Sequence, residues 1–152
     1  MSERTLIILK PDAVARQLVG RIISRFEDKG LQIVGAKFLR FSRDLAARHY
    51  AIHQGKPFYD GLLDYITSGP VLVLVLQAPG AIALTRKLMG STFGCEAEPG
   101  TLRGDFGASR GFNLVHGSDS PQAAAYEIAL YFRDDELIDY ALPGQHWLYG
   151  KG

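Results

Sequence analysis

Cysteine occurs once in this chain, at Cys95, so no intramolecular disulfide can form, which agrees with a reducing compartment. Long apolar runs are missing as well. The longest, Val71 to Leu76, spans six residues, against the roughly 20 needed to cross a bilayer. The N-terminus has no basic stretch leading into an apolar one, so neither spanning nor secretion is indicated and a cytoplasmic location is expected. Charge of one sign is not in excess either: the net charge is +1, no field over the whole surface recruits nucleic acid or membrane, and any anion site must be local. There is no low-complexity tract and no internal repeat. Neither a Walker-type loop nor a GxGxxG occurs, so a bound nucleotide would be held by side chains rather than by glycine amides at a helix start.

What is present is an ordinary globular balance. The 152 residues, 47% hydrophobic and 22% charged, suit one domain spanning 1–152. Thr5 to Leu9 reads as a buried strand that stops at Pro11, leaving Lys10 at the strand's end. Val19, Ile22, Ile23 and Phe26 fall at helical spacing ahead of Gly30, a left-handed cap, and Leu31 to Phe41 follows as a second strand. Ser42 can cap a helix running through "RDLAARHYAIHQG", and a further helical piece lies around 58–66. After Gly69-Pro70 comes "VLVLVLQ", a strand apolar on both faces, then a helix from Pro79-Gly80 to Gly90. A short strand at Leu114 to His116 precedes a helix with Ser120 as N-cap and Pro121 as first residue. This order predicts an α+β fold: a ferredoxin-like βαββαβ antiparallel sheet with helical insertions. The C-terminal segment reads as a docked tail in which Trp147 and Tyr149 are packed.

Chemistry concentrates in "NLVHGSDS". His116 closes a short apolar run, Gly117 is expected to leave its ring uncrowded, and the polar residues after it include a helix cap; Glu127 lies near the end of the second turn of that helix. Gly90 to Gly111 holds six glycines in 22 residues, longer than the roughly 12 to 15 at which structureless loops become uncommon, and it carries Thr92, Arg103 and Asp105 toward Asn113. His49 and His53 are four apart on a helix, but "HYAIH" lacks the zincin glutamate and no third ligand is apparent, so no metal site is expected.

The blocks "LKPDAV", "GRIISRFEDKG", "HYAIHQGKPFYDGL", "SGPV", "PGTLRGDF" and "NLVHGSDS", in that order and spacing, closely resemble those of the nucleoside diphosphate kinases, from about Arg4 to Tyr149. The resemblance implies ping-pong transfer of the terminal phosphoryl group of a nucleoside triphosphate to a nucleoside diphosphate through phosphohistidine at His116. It implies that Lys10, Tyr50, Phe58, Arg86, Thr92, Arg103 and Asn113 line the nucleotide and that Ser118 and Glu127 support the histidine. It also implies Mg²⁺ carried mainly by the nucleotide phosphates. Three cations and a metal suit a triphosphate, because phosphoryl transfer depends on in-line positioning and neutralised oxygens. Glu127 would stabilise an imidazolium and also orient the ring, with orientation expected to dominate. Phe58 would stack on any base, giving loose base recognition and leaving ribose and deoxyribose unranked.

Two departures bear on assembly. Phe93-Gly94 stands where many relatives have Asn-Pro, and Phe112 where Arg is common. The long tail is similar to that of hexameric members, so a homo-oligomer is expected, a hexamer of dimers with a tetramer as the alternative. Two rival readings are a non-catalytic ferredoxin-like nucleotide-binding regulatory module and a phosphocarrier that passes phosphate from His116 to a protein.

Overall fold

In a computed structural model, described for residues 2–150, the chain begins with β1 (Ser2–Leu9), α1 (Pro11–Ala15), α2 (Val19–Asp28) and β2 (Gln32–Arg40). There follow α3 (Arg43–His49), a 3₁₀ turn (Ala51–His53), α4 (Tyr59–Ile66), β3 (Pro70–Pro79) and α5 (Ala81–Met89). A second 3₁₀ turn (Gly94–Glu96), α6 (Leu102–Phe106), β4 (Val115–Gly117), α7 (Pro121–Tyr131), a third 3₁₀ turn (Asp134–Glu136) and α8 (Gln145–Leu148) complete it. The strands form one sheet in the order β2-β3-β1-β4, every neighbouring pair antiparallel. This is the expected split βαβ arrangement of an α+β ferredoxin-like fold.

The alternation of side chains along β1 and β3 divides the core in two. Ile7, Leu9, Leu74 and Leu76 pack with Leu18, Ile22 and Phe26 near α2, and with Ala81 and Met89 of α5. Leu6, Ile8, Val71, Val73 and Val75 face the other way, against Ala46 and Tyr50 around α3, Leu63 and Ile66 of α4, and Tyr131 of α7. Covering both faces explains why β3 is apolar without interruption. Each fully buried side chain such as Ile22 or Phe26 contributes about 1.5–3 kcal/mol relative to exposure.

The expected caps are present. The Leu45 amide donates to Ser42 Oγ at 3.1 Å and the Ala123 amide to Ser120 Oγ at 3.0 Å, each bond satisfying an otherwise unpaired donor at a helix start. Gly30 ends the α2 region with φ +97°. Several boundaries differ from the sequence expectation. β1 starts at Ser2 because the polar residues before Thr5 still pair with β3, where Arg4 Nε donates to Gln77 Oε1 at 2.8 Å. The helix after Ser42 stops at His49 and continues as a 3₁₀ turn.

The glycine-rich segment is not a structureless loop. Thr101 Oγ1 caps α6 by accepting from the Gly104 amide at 3.0 Å, and Asp105 pairs with Arg25 of α2 at 2.5 Å. A Cβ at Gly104 would lie 1.9 Å from the Glu98 carbonyl oxygen, so glycine there permits close backbone packing. The tail is docked through Tyr149, whose hydroxyl donates to the Gly30 carbonyl at 2.9 Å. Trp147, expected to be packed, is 85% exposed: it sits on the short α8, none of whose residues is buried.

Candidate functional site

His116 is the middle residue of β4 and pairs with Ile8 of β1. Its side chain therefore shares the face of Ile8, toward α3 and α7, while Val115 packs into the opposite core. Gly117 points away from His116, and a Cβ there would lie 2.5 Å from Met89 Cε. Its small size makes room for Met89 on the other face and does not relieve crowding at the imidazole, contrary to the expectation from sequence.

The Ser120 cap and Pro121 start α7 in the register that points Glu127 inward. Glu127 Oε1 lies 2.9 Å from His116 Nε2 and accepts from the Ser118 hydroxyl at 2.7 Å. Ser118 is fully buried, and its oxygen accepts from the Leu6 amide at 3.2 Å, which ties the network to β1. Burial pushes the Glu127 carboxyl up, but the hydrogen bond and charge of His116, with the Ser118 hydroxyl, outweigh it and hold the carboxyl below its ordinary value. An ionised carboxylate only accepts, so His116 Nε2 carries the proton. The lone pair of the neutral ring is then on Nδ1.

A chain of rings leads away from His116. His49 meets it edge-on at 4.7 Å between centroids, Tyr50 lies 4.8 Å from His49, His53 lies 6.3 Å from Tyr50, and Phe58 lies 5.3 Å from His53. Phe58 remains 50% exposed at the end of this wall. His49 is buried beside Tyr131, its Nδ1 2.7 Å from the hydroxyl. Burial first, then the charge of His116, pulls its imidazole down to about 3. Burial, and then the charge of Glu127, pushes the Tyr50 hydroxyl up to about 12.

The opposite wall is built of cations and backbone. Lys10, 6% exposed, donates to Asn113 Oδ1 at 2.7 Å, and Asn113 Nδ2 donates to the Thr92 carbonyl at 3.2 Å. Burial and the charge of Arg103 pull the Lys10 ammonium down to about 7 against the upward pull of Asp12. Arg103, 5% exposed, donates to the carbonyls of Asn113, Gly90 and Val115 at 3.0, 3.0 and 2.6 Å. It thereby fastens the glycine-rich segment to the histidine strand. Burial, and then Arg86, lowers it to about 10. Arg86 donates to the Gly117 carbonyl at 3.1 Å. Between the two walls Leu114 has φ +69°, and the Val115 amide donates to the Asn113 carbonyl at 2.7 Å, closing a three-residue turn. A non-glycine residue held there costs on the order of 1–3 kcal/mol.

Thus the residues that the resemblance assigns to the site lie on two walls around His116. Among the described residues, one group has metal-ligating character: donor atoms of His49, His116 and Glu127 lie within 4.8 Å of one another. His53, which the sequence pairs with His49, is turned toward Phe58 instead.

Sequence and fold match known proteins. The family model described as "Nucleoside diphosphate kinase" matches residues 3–137. The chain belongs to the nucleoside diphosphate kinase family. A curated nucleoside diphosphate kinase of Thermomicrobium roseum is 55% identical over 148 residues, 97% of this chain and 99% of the other, and one of Staphylococcus epidermidis is 51% identical over 147 residues, again 97% and 99%. The solved structure of a halophilic nucleoside diphosphate kinase from Halobacterium salinarum in complex with CDP superposes with a TM-score of 0.96 at 49% identity, covering 99% of this chain and 100% of that one. Sequence reasoning about this kinase misses the residues behind its walls. Asp12 reads only as part of a strand's end, and Tyr65 gives no signal within α4, yet the Tyr65 hydroxyl donates to Asp12 Oδ1 at 2.5 Å. Their contact bridges 53 positions, beyond the reach of any local pattern.

Proposed function

We propose that the chain moves the terminal phosphoryl group of a nucleoside triphosphate to a nucleoside diphosphate by way of phosphohistidine at His116. The observation that carries this reading is the 2.9 Å contact from His116 Nε2 to an ionised Glu127. With Nε2 protonated, Nδ1 presents its lone pair to phosphorus. An N–P bond forms as the bond from phosphorus to the bridging oxygen breaks, and the nucleoside diphosphate leaves with that electron pair. A second diphosphate reverses the step from the other side of the exchange.

Ser118 and Glu127 hold the ring. Lys10, Arg86 and Arg103 supply positive charge for the phosphates, with Thr92, Asn113 and Tyr50 along the nucleotide and Phe58 as a stacking platform. Glu127 is committed to His116 and Ser118, and the wall opposite is cationic. This fits a Mg²⁺ that arrives on phosphate oxygens and neutralises their charge, rather than one held by a carboxylate cage. Self-association into a hexamer of dimers, with a tetramer as the alternative, rests on the long C-terminal tail, which is similar to that of hexameric members. No helix among the described residues is long and apolar enough to cross a membrane, and the proposed compartment is the cytoplasm.

The decisive experiment incubates the protein with γ-labelled ATP, seeks an acid-labile, alkali-stable phosphoenzyme and chases it with GDP. Label that GDP discharges is the expected result. No label points to a regulatory nucleotide-binding module, and label that GDP cannot remove points to a phosphocarrier. His116→Ala should abolish both label and turnover.

A further inference from the structure

The strained turn at Leu114 stands between Asn113 and the histidine strand, and something must hold it. Leu114 is fully buried with φ +69°, a conformation a β-unbranched side chain adopts only when its surroundings impose it. Its carbonyl accepts from the Lys10 amide at 2.8 Å, continuing the contact with β1. Its amide donates to Asp12 Oδ2 at 3.1 Å, while the other oxygen of that carboxylate receives the Tyr65 hydroxyl at 2.5 Å. Tyr65 is itself fixed from two directions. Lys10 Nζ lies 5.2 Å from its ring centroid, and Phe112 meets the ring edge-on at 5.3 Å. The residue at 112, where the family commonly has arginine, thus completes the packing around this tyrosine.

We propose that Asp12 is a positioning residue: clamped by Tyr65, its carboxylate holds the Leu114 turn and through it sets the places of Asn113 and His116. Two independent bonds fix the carboxylate, one to α4 and one to the turn, so the brace spans elements that are 102 positions apart in sequence. Asn113 precedes the turn and bonds Lys10, so a shift at Leu114 displaces the cationic wall. His116 follows two residues later, so the same shift moves the imidazole relative to Glu127. A displacement on the order of 1 Å at a reacting group can cost about a hundredfold in rate. Asp12 and Tyr65 touch neither the ring of His116 nor its carboxylate partner, so they act on the imidazole through the backbone of the turn, while the Tyr65 ring also meets Lys10 directly, 5.2 Å from Nζ.

This inference rests on the phosphohistidine reading, and the test separates the two. Single-turnover phosphoenzyme formation from labelled ATP is measured for the full chain well below its melting temperature, along with kcat and KM in the steady state. If the unsubstituted protein forms no phosphoenzyme, the underlying reading fails whatever Asp12 does. If it does, Asp12→Ala should slow phosphoenzyme formation by about ten- to a hundredfold at saturating nucleotide, so that kcat falls and not only KM rises.

Asp12→Asn keeps an oxygen for the Leu114 amide and an amide donor for the Tyr65 oxygen, and should recover most of the rate. Tyr65→Phe leaves the carboxylate free to rotate and should fall between Asp12→Ala and the unsubstituted protein. The Asp12→Ala, Tyr65→Phe double variant should be no slower than Asp12→Ala alone. A lowered melting temperature with unchanged single-turnover rate in the folded Asp12→Ala and Tyr65→Phe proteins would show a purely structural role for Asp12 and overturn the proposal. Equal losses in Asp12→Asn and Asp12→Ala would overturn it as well, because the brace depends on retained hydrogen-bond geometry. Should Asp12→Ala fail to fold, Tyr65→Phe alone decides: a slowed phosphoenzyme rate supports the brace, and an unchanged one overturns it.

Discussion

The two walls around His116 are built by different physics. On the cationic side, Arg103 is 5% exposed and spends three donors on backbone carbonyls, and Lys10 and Asn113 bond each other. On the ring side, Phe58 is 50% exposed and meets His53 through an edge contact. Directional bonds fix atoms to fractions of an ångström, whereas ring contacts tolerate sliding. A phosphoryl-transfer enzyme needs the first kind of wall where the phosphorus moves and the second where any base is to be accepted. On the proposed reading, accuracy and tolerance are separated along one substrate.

The largest break in that contrast should come from Arg103→Ala, which leaves three carbonyls, one of them buried and two half-buried, without their charged donor. A charged hydrogen bond contributes about 1.5–3 kcal/mol, so stability should fall by at least about 3 kcal/mol in denaturant melts. Activity should drop at least a hundredfold, and Arg103→Lys should rescue little because one ammonium cannot span three carbonyls. Near-normal melting of Arg103→Ala would show the cationic wall to be no firmer than the other. Glu127→Gln comes next. An amide oxygen still accepts from Nε2, but the amide also brings a donor that competes for the Ser118 hydroxyl. The rate of phosphoenzyme formation should fall by about tenfold with KM little changed, in line with a lost charged hydrogen bond. A pure KM effect would remove Glu127 from the chemical step.

Phe58→Ala sharpens the comparison from the tolerant side. Loss of a stacking platform costs about 1–3 kcal/mol per base, so KM should rise roughly tenfold or more, by similar factors for purine and pyrimidine diphosphates. A rise confined to one base class would mean that the ring wall reads hydrogen-bonding edges after all.

The smallest effect is a fraction of a proton. Burial and Arg103 hold the Lys10 ammonium at about 7 instead of 10.5, so near neutrality the empty site is only partly charged. An arriving phosphate favours the charged form, raises this value and draws a proton from solvent. Uptake should be largest at about pH 8 and fade toward about pH 6, where Lys10 already carries its proton. Calorimetry of nucleotide binding in buffers of different ionisation enthalpy measures it, and identical heats at about pH 8 would place Lys10 away from the phosphates.

Much of this is legible in the sequence, because capping, turn residues and apolar periodicity act within a few positions of one another. Ser42 and Ser120 start their helices, Gly30 ends one, and the uninterrupted apolar β3 announces a strand covered on both faces. The family motifs already imply that His116, Glu127, Lys10, Arg103 and Asn113 meet at one site. Other features are hidden. Glycines between 90 and 111 suggest a loose loop and instead allow close backbone packing. Gly117 suggests space for the imidazole and instead gives room to Met89.

By itself, then, the sequence determined the four strands, the longer helices, their order and the ferredoxin-like sheet, since these follow from local propensity and pattern, and its family resemblance implied the set of polar residues; the short α1 and α6 were not legible. Tertiary structure alone decided which nitrogen of His116 bears the proton, because only the packing of α7 against β4 sets a carboxylate 2.9 Å from Nε2. It alone showed Arg103 to be a brace as well as a cation, and brought Asp12 to the Leu114 amide across 102 positions. Hydrogen bonds require alignment to within tenths of an ångström, and over such separations that alignment is fixed only once strand register and helix packing are complete.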